Sequence, residues 1–251
     1  MTESINPPIT DLARGHTVSR YDQELAKLRG IILEMGEHVV EQIQAAVSAL
    51  VSREENLAFR VLDREPQVDF LALDADEEVF RVIARRQPTA IDLRIVLALS
   101  KIAGDVERAG DKAARIARQS IELDALGGGE DLLSPRLRAA LSTLDACACC
   151  MFERGISGVA RFDVRIALDI FEREPALYEA SHAVRALLSD AEQEGLSARQ
   201  TVCVLTSAHA LERIGNHAAN IAEQVIYVAE GQDVRFRNRE ILIETLRHRT
   251  L

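Results

Sequence analysis

One phrase is written twice in this chain, and that repetition limits what the chain can fold into. Asp105 to Arg118 reads DVERAGDKAARIAR, and Ala210 to Glu223 reads ALERIGNHAANIAE. Superposing them sets Glu107 on Glu212, Gly110 on Gly215, Asp111 on Asn216 and Ile116 on Ile221, an offset of 105. A second echo lies upstream: VLDREPQVD (Val61–Asp69) matches IFEREPALY (Ile170–Tyr178) at an offset of 109. Two echoes in the same order imply a duplicated unit. The offsets differ by four, so the second unit is shorter between the echoes, and the stretch RRQPTAIDLR is where the difference is expected.

Each unit reads as three long helices. Leu25, Leu28, Ile32, Met35, Val39, Ile43, Ala46 and Leu50 recur at three- and four-residue steps, which makes one apolar stripe. A second helix is predicted from about Glu54 to Arg86, punctuated by Pro88 and Thr89, and a third from about Ala90 to Glu122. The glycine-rich stretch LGGGEDLLSPR (Leu126–Arg136) makes the linker, and the plan then repeats over about Pro135–Ala160, Val164–Gln193 and Ala198–Gly231. Pro66 and Pro175 fall inside second helices, where each is expected to kink the helix or begin a new turn. Helices of ~30 residues are ~45 Å long and pack nearly antiparallel when their stripes keep this spacing. The expected fold is all-α: two tandem pseudo-repeated three-helix bundles of long antiparallel helices. The division is an N-terminal tail over 1–20, a first bundle over 21–125, a linker over 126–135, a second bundle over 136–232 and a tail over 233–251.

Composition narrows the function. The 251 residues carry a net charge of −10, with no basic excess in either half, so a nucleic-acid footprint is not expected. The arginines of the tail, Arg235, Arg237, Arg239, Arg247 and Arg249, read as a solvated helix end or, more sharply, as a docking patch. No apolar run approaches the roughly 18 residues of a membrane span, and the first residues lack the apolar core of a secretory signal. The four cysteines, Cys147, Cys149, Cys150 and Cys203, read as free thiols filling the core, with a metal site from CACC as the sharper alternative. A cytosolic protein is expected.

The repeated phrase also raises a question of chemistry. Glu107 and Asp111 lie one turn apart on one helix face and repel each other. Either the face is solvated, with Asp111 paired to Arg115, or the carboxylates hold a hard cation, which seeks oxygen ligands at such separations. Gly110 and Gly215 cost ~1 kcal/mol each in mid-helix, so their recurrence marks a close approach or a built surface beside the acids.

QPTAIDLR (Gln87–Arg94), VERAGDKAARIAR, LERIGNHAANIAE and GQD (Gly231–Asp233) together resemble the PhoU family of bacterial phosphate-signalling regulators, over about Tyr21 to Asp233. The resemblance implies a cytoplasmic negative regulator that couples a high-affinity phosphate ABC transporter to a sensor histidine kinase. It implies contacts with the transporter's ATPase subunit and the kinase, a homodimer, and a place at the inner membrane held only through partners. Some members of the family hold metal ions on an acidic motif of the form Glu/Asp-x-x-x-Asp, so a divalent or iron-type ion is expected in the first bundle. Glu107 and Asp111 match that motif, and Asp76 is expected to join them from the second helix, although Ala72 stands four residues before it. In the second unit Glu212 is kept but Asn216 replaces the acid, and Leu177 and Ser181 are taken as the counterparts on the neighbouring helix. Asp105 is a further candidate ligand, although it projects from another side of its helix than Asp111.

A metal-dependent bundle with storage or catalytic chemistry is the competing reading. A di-iron bundle needs two Glu-x-x-His pairs, and only Glu179 with His182 has that spacing. His209 and His217 flank Glu212, where hydrogen bonding is the commoner role. No nucleophile or phosphate-loop signature is present, so no catalytic residue is assigned.

Overall fold

A computed structural model describes residues 19–129, 132–190 and 194–250. They form seven helices and, among the described residues, no strand. In chain order these are α1 (Ser19–Ser52), α2 (Glu55–Arg86), α3 (Ala90–Ala125), α4 (Pro135–Val159), α5 (Val164–Leu188), α6 (Ala198–Glu230) and α7 (Arg239–Thr250). The tail expected over 1–20 lies almost wholly outside the described residues.

The apolar stripe of α1 points inward as its spacing requires: Leu28, Ile32, Met35, Val39, Ile43, Ala46 and Leu50 are all fully buried. Leu25 packs separately with Tyr21, Val82 and Val96 where α1 meets the α2–α3 corner. Helices α1, α2 and α3 pack on one another as the first bundle, and α4, α5 and α6 as the second. Two helix starts in the second unit are sealed by side chains. Ser134 accepts from the Leu137 amide at 3.1 Å, with Pro135 following it. Ser197 and Gln200 form a reciprocal capping box at the start of α6.

The bundles are not beads on a linker. The third helices, α3 and α6, pack along each other, and α1 also touches α4. One apolar core runs through both units, from Leu28 to Leu246. Helix α6 shows the consequence, with 19 of its 33 residues buried, because neighbours cover it on several sides. Small residues make this possible: Ala109, Ala113 and Ala117 of α3 and Ala210, Ala218 and Ala222 of α6 are all buried. On α1, a Cβ at Gly36 would lie 2.6 Å from Ile156 of α4.

Three sequence expectations change. Helix α5 ends at Leu188 rather than near Gln193, with Ser189 as its cap; residues 191–193 lie outside the described set. The four-residue difference therefore comes from the helices, since the connection from α5 to α6 is longer than the one from α2 to α3. Both internal prolines lie inside second helices where the sequence placed them, Pro66 in α2 and Pro175 in α5. The expected C-terminal tail contains α7, which packs on α5 and buries Leu242 and Leu246. The cysteines are free, with Cys149 and Cys203 buried.

The repeated glycines are packing devices. Gly110 faces Val39, Val68 and Gln42, with the nearest contact to an added Cβ at 3.3 Å, so α1 and α2 approach α3 closely there. Gly215 is tighter, since a Cβ would lie 2.3 Å from Leu177 Cδ2. Gly110→Ala should therefore be nearly neutral, its mild crowding offset by a helix-propensity gain of ~1 kcal/mol. Gly215→Ala should cost roughly 1–3 kcal/mol by overpacking around Leu177. Urea unfolding of the two variants checks the difference, and equal stabilities would refute it.

Candidate functional site: the acidic faces of the two bundles

The short connection between α2 and α3 makes them antiparallel, and Arg118 fixes their register by bonding both oxygens of Glu65 at 2.8 and 2.5 Å. That register sets Glu65 and Asp69 on α2 against Glu107 and Asp111 on α3. Partial burial raises the Glu107 carboxyl above its usual range, and Asp111 and Asp69 raise it further. Asp69 is raised by burial, then by Asp111 and Glu65. The cluster is thus a like-charge one, in which Asp111 makes both Asp69 and Glu107 harder to ionise. No ion pair among the described residues joins Asp111 to Arg115.

Asp76, expected to join the acids from α2, is exposed and seven residues beyond Asp69, ~10 Å further along the helix axis. The α2 carboxylate that acts on Glu107 is Asp69, for which the upstream echo carried the signal. Glu65 and Asp69 repeat the four-residue spacing of Glu107 and Asp111, and the echo aligns them with Glu174 and Tyr178. The donor set suits a hard cation. Yet among the described residues no three His, Cys, Asp or Glu side chains converge closely enough to enclose a metal ion. As arranged, the fit is one of chemistry without assembled geometry.

The second bundle has the same layout with its charge neutralised. Burial raises Glu212, but bonds from Ser181 and from Arg185 at 2.7 Å outweigh it and hold the carboxyl below its usual range. The Tyr178 hydroxyl, standing where the first bundle has Asp69, donates to Asn216 Oδ1 at 3.2 Å. Leu177, taken from sequence as a site counterpart, instead fills the space beside Gly215. Glu174 stands where the first bundle has Glu65, but Glu223 replaces the position of Arg118. The two acids are bridged from α7: Arg239 reaches Glu174 at 3.0 Å and Glu223 at 2.8 Å, with its guanidinium 4.0 Å from the Phe171 ring centroid. An arginine read as part of a solvated end is thus a built-in cation.

Asp105 and His217, on the other sides of their helices, meet at the α3–α6 contact. His217 Nδ1 donates to Asp105 at 2.9 Å, and Asn220 and Arg108 each donate to the same carboxylate at 3.0 Å. Burial pushes Asp105 up, and these three bonds together hold it below the usual carboxylate range. His209 and His182 remain exposed. The remaining motif stretches also meet across the bundles. Gly231 ends α6 with φ of +73°, and a Cβ there would lie 2.1 Å from the Arg94 guanidinium, which itself lies 6.0 Å from the Tyr227 ring. The positive φ is what requires Gly231; the tip of Arg94 could move aside for a Cβ.

The model of the PhoU domain matches the chain twice, over residues 32–120 and 141–225. The chain belongs to the PhoU family. It is 34% identical over 221 residues to the phosphate-specific transport system accessory protein PhoU homolog of Pseudomonas aeruginosa, covering 88% of this chain and 89% of the relative. It is 30% identical to the phosphate-specific transport system accessory protein PhoU of Escherichia coli K12, with the same coverage. Its fold matches the crystal structure of PhoU from Pseudomonas aeruginosa with a TM-score of 0.78 at 33% identity, over 84% of this chain and all of that one. The phosphate transport system regulatory protein PhoU from Streptococcus pneumoniae has the same fold, with a TM-score of 0.75 at 22% identity, over 86% of this chain and all of that one. Helix α7 lies beyond the matched PhoU domains.

Arg239→Ala should leave Glu174 and Glu223 facing each other with no cation between them. A loss of roughly 2–4 kcal/mol in unfolding free energy at neutral pH is expected. Adding Glu174→Gln should restore most of it. Unchanged stability of the single variant, measured by denaturant unfolding, would show that α7 does not clamp the second bundle.

Proposed function

We propose that this protein is a cytoplasmic negative regulator of the phosphate-starvation response. In this reading it is an adaptor between a high-affinity phosphate ABC transporter and a sensor histidine kinase, works as a homodimer, modulates phosphate uptake and catalyses no reaction of its own. The carrying observation is the similarity, over nearly nine-tenths of the chain, to proteins named as accessories of the phosphate-specific transport system. That no described helix is long and apolar enough to cross a membrane fits a protein held at the inner membrane only through its partners. The reading is tested in a clean deletion strain grown with plentiful phosphate. A phosphate-starvation reporter should be derepressed and restored by the gene in trans, and the purified ATPase subunit should retain the protein on a column. Unchanged reporter expression, with no second family member in the genome, would overturn it.

A second reading, metal binding, draws on the coupled carboxylates of the first bundle. Glu107 and Asp111 would hold the ion with Asp69, and Glu65 would join once released by Arg118. Glu212 and Asn216 are poorer candidates, since Arg185, Ser181 and Tyr178 already engage them. An ion would supply positive charge to a face of like charges, and ligand charge favours hard divalent cations. Glu107→Ala with Asp111→Ala should then abolish most bound manganese, magnesium or iron while helical content stays the same. Equal metal content in the two proteins would reduce the cluster to a solvated acidic face.

A further inference from the structure

Helix α2 carries large apolar side chains into solvent. Phe59, Phe70, Leu73 and Phe80 are 47%, 68%, 62% and 76% exposed. At 100° per residue they fall within an arc of ~80°, so they line one ridge along the helix. The buried side of the same helix, Ala58, Val61, Val68, Ala75 and Val82, is separate and complete. The ridge is therefore not the overflow of a core position. Four such side chains at this exposure present roughly 400 Å² of apolar surface along one helix face, the scale at which patches mark interaction sites.

The charge around the ridge selects the occupant. Glu77 lies on it, Asp63 and Asp74 border one edge, and Asp69 and Asp76 border the other; all five are exposed. The nearest cation, Arg81, is already engaged by Glu78 at 2.5 Å, and Arg64 by Glu41 at 3.1 Å. A second copy fits poorly. Twofold pairing would set each acidic edge against its own copy, and the ridge is about half of the ~800 Å² per partner that stable interfaces bury. An anionic bilayer fits no better, for the same electrostatic reason.

We propose that the exposed face of α2 is a docking surface for a basic amphipathic helix of a partner protein. Its apolar stripe would lie on Phe59, Phe70, Leu73 and Phe80, and its lysines or arginines would flank Asp63, Asp69, Asp74, Asp76 and Glu77. This is helix recognition by an apolar ridge, with the acidic edges setting sign and approach rate. It rests on the adaptor reading and gives it a surface.

The test uses the full-length protein and a fluorescein-labelled, 18-residue leucine–lysine amphipathic peptide, with its leucine–glutamate counterpart as the control. Anisotropy should show the lysine peptide binding at least tenfold more tightly, with affinity falling as salt rises. Phe70→Ser with Leu73→Ser and Phe80→Ser should weaken it at least tenfold; these side chains are exposed, so circular dichroism should not change. Asp63→Asn with Asp74→Asn and Glu77→Gln should weaken it and flatten its salt dependence. Equal binding of the two peptides, equal binding by wild type and ridge variant, or sedimentation showing a dimer that the ridge variant loses would each overturn the proposal. In the deletion strain, a ridge variant that restores repression fully would also sink the surface while leaving the adaptor reading intact.

Discussion

The structure depends on the packing of α3 along α6. Each is the third helix of its unit, and each turns one side to its own bundle and another to its opposite number. Two helices covered on so many sides can approach only if their side chains are small, which fits the alanines of the repeated phrase; its glycines instead admit α1 and α2 to α3, and Leu177 of α5 to α6. Into this seam the chain sets a buried polar node, Asp105 with His217 and Asn220, in addition to the Arg199–Glu122 pair nearer its end. An ionised carboxylate away from water is tolerable only where donors surround it, and three do. A uniform apolar seam could slide by a helical turn, whereas a carboxylate with partners at fixed positions cannot slide without losing them.

Duplication made two similar acidic faces, and the sequence then treated them differently. The first kept its acids and accepts mutual repulsion among Asp69, Glu107 and Asp111. The second replaced two acids by Tyr178 and Asn216, gave Glu212 an arginine, and closed the remaining pair with Arg239 from α7. One face is open to an external cation or a cationic partner. The other carries its counter-charge within the chain.

The fold was largely legible because its signals are local or repeated. The three- and four-residue steps of α1, the proline and glycine punctuation and the two echoes located six helices and their order. The errors arose where a tertiary contact decides the outcome. The end of α5 depends on where a turn is tolerated, and no residue near Leu188 signals it as strongly as Gly231 signals the end of α6. Helix α7 contains few apolar residues, so only the pockets that receive Leu242 and Leu246 reveal it as structural. The acidic pair was legible, but Asp69 beside it was not. Seeing that Asp69 acts on Glu107 requires the register of α2 against α3, which periodicity does not set. The glycines suggested close approach correctly, but they pack against core side chains rather than beside the acids.

The continuous core has a consequence for how the molecule comes apart. A chain of two separable modules melts in stages, each stage reporting the stability of one module. Here, opening the second unit would strip α3 of α6 and α1 of α4, leaving one polar node and many alanines facing water. The free energy of that exposure falls on both halves at once, so unfolding is expected to couple the two repeats rather than to let one outlive the other. What began as two copies of a helical unit is, thermodynamically, one.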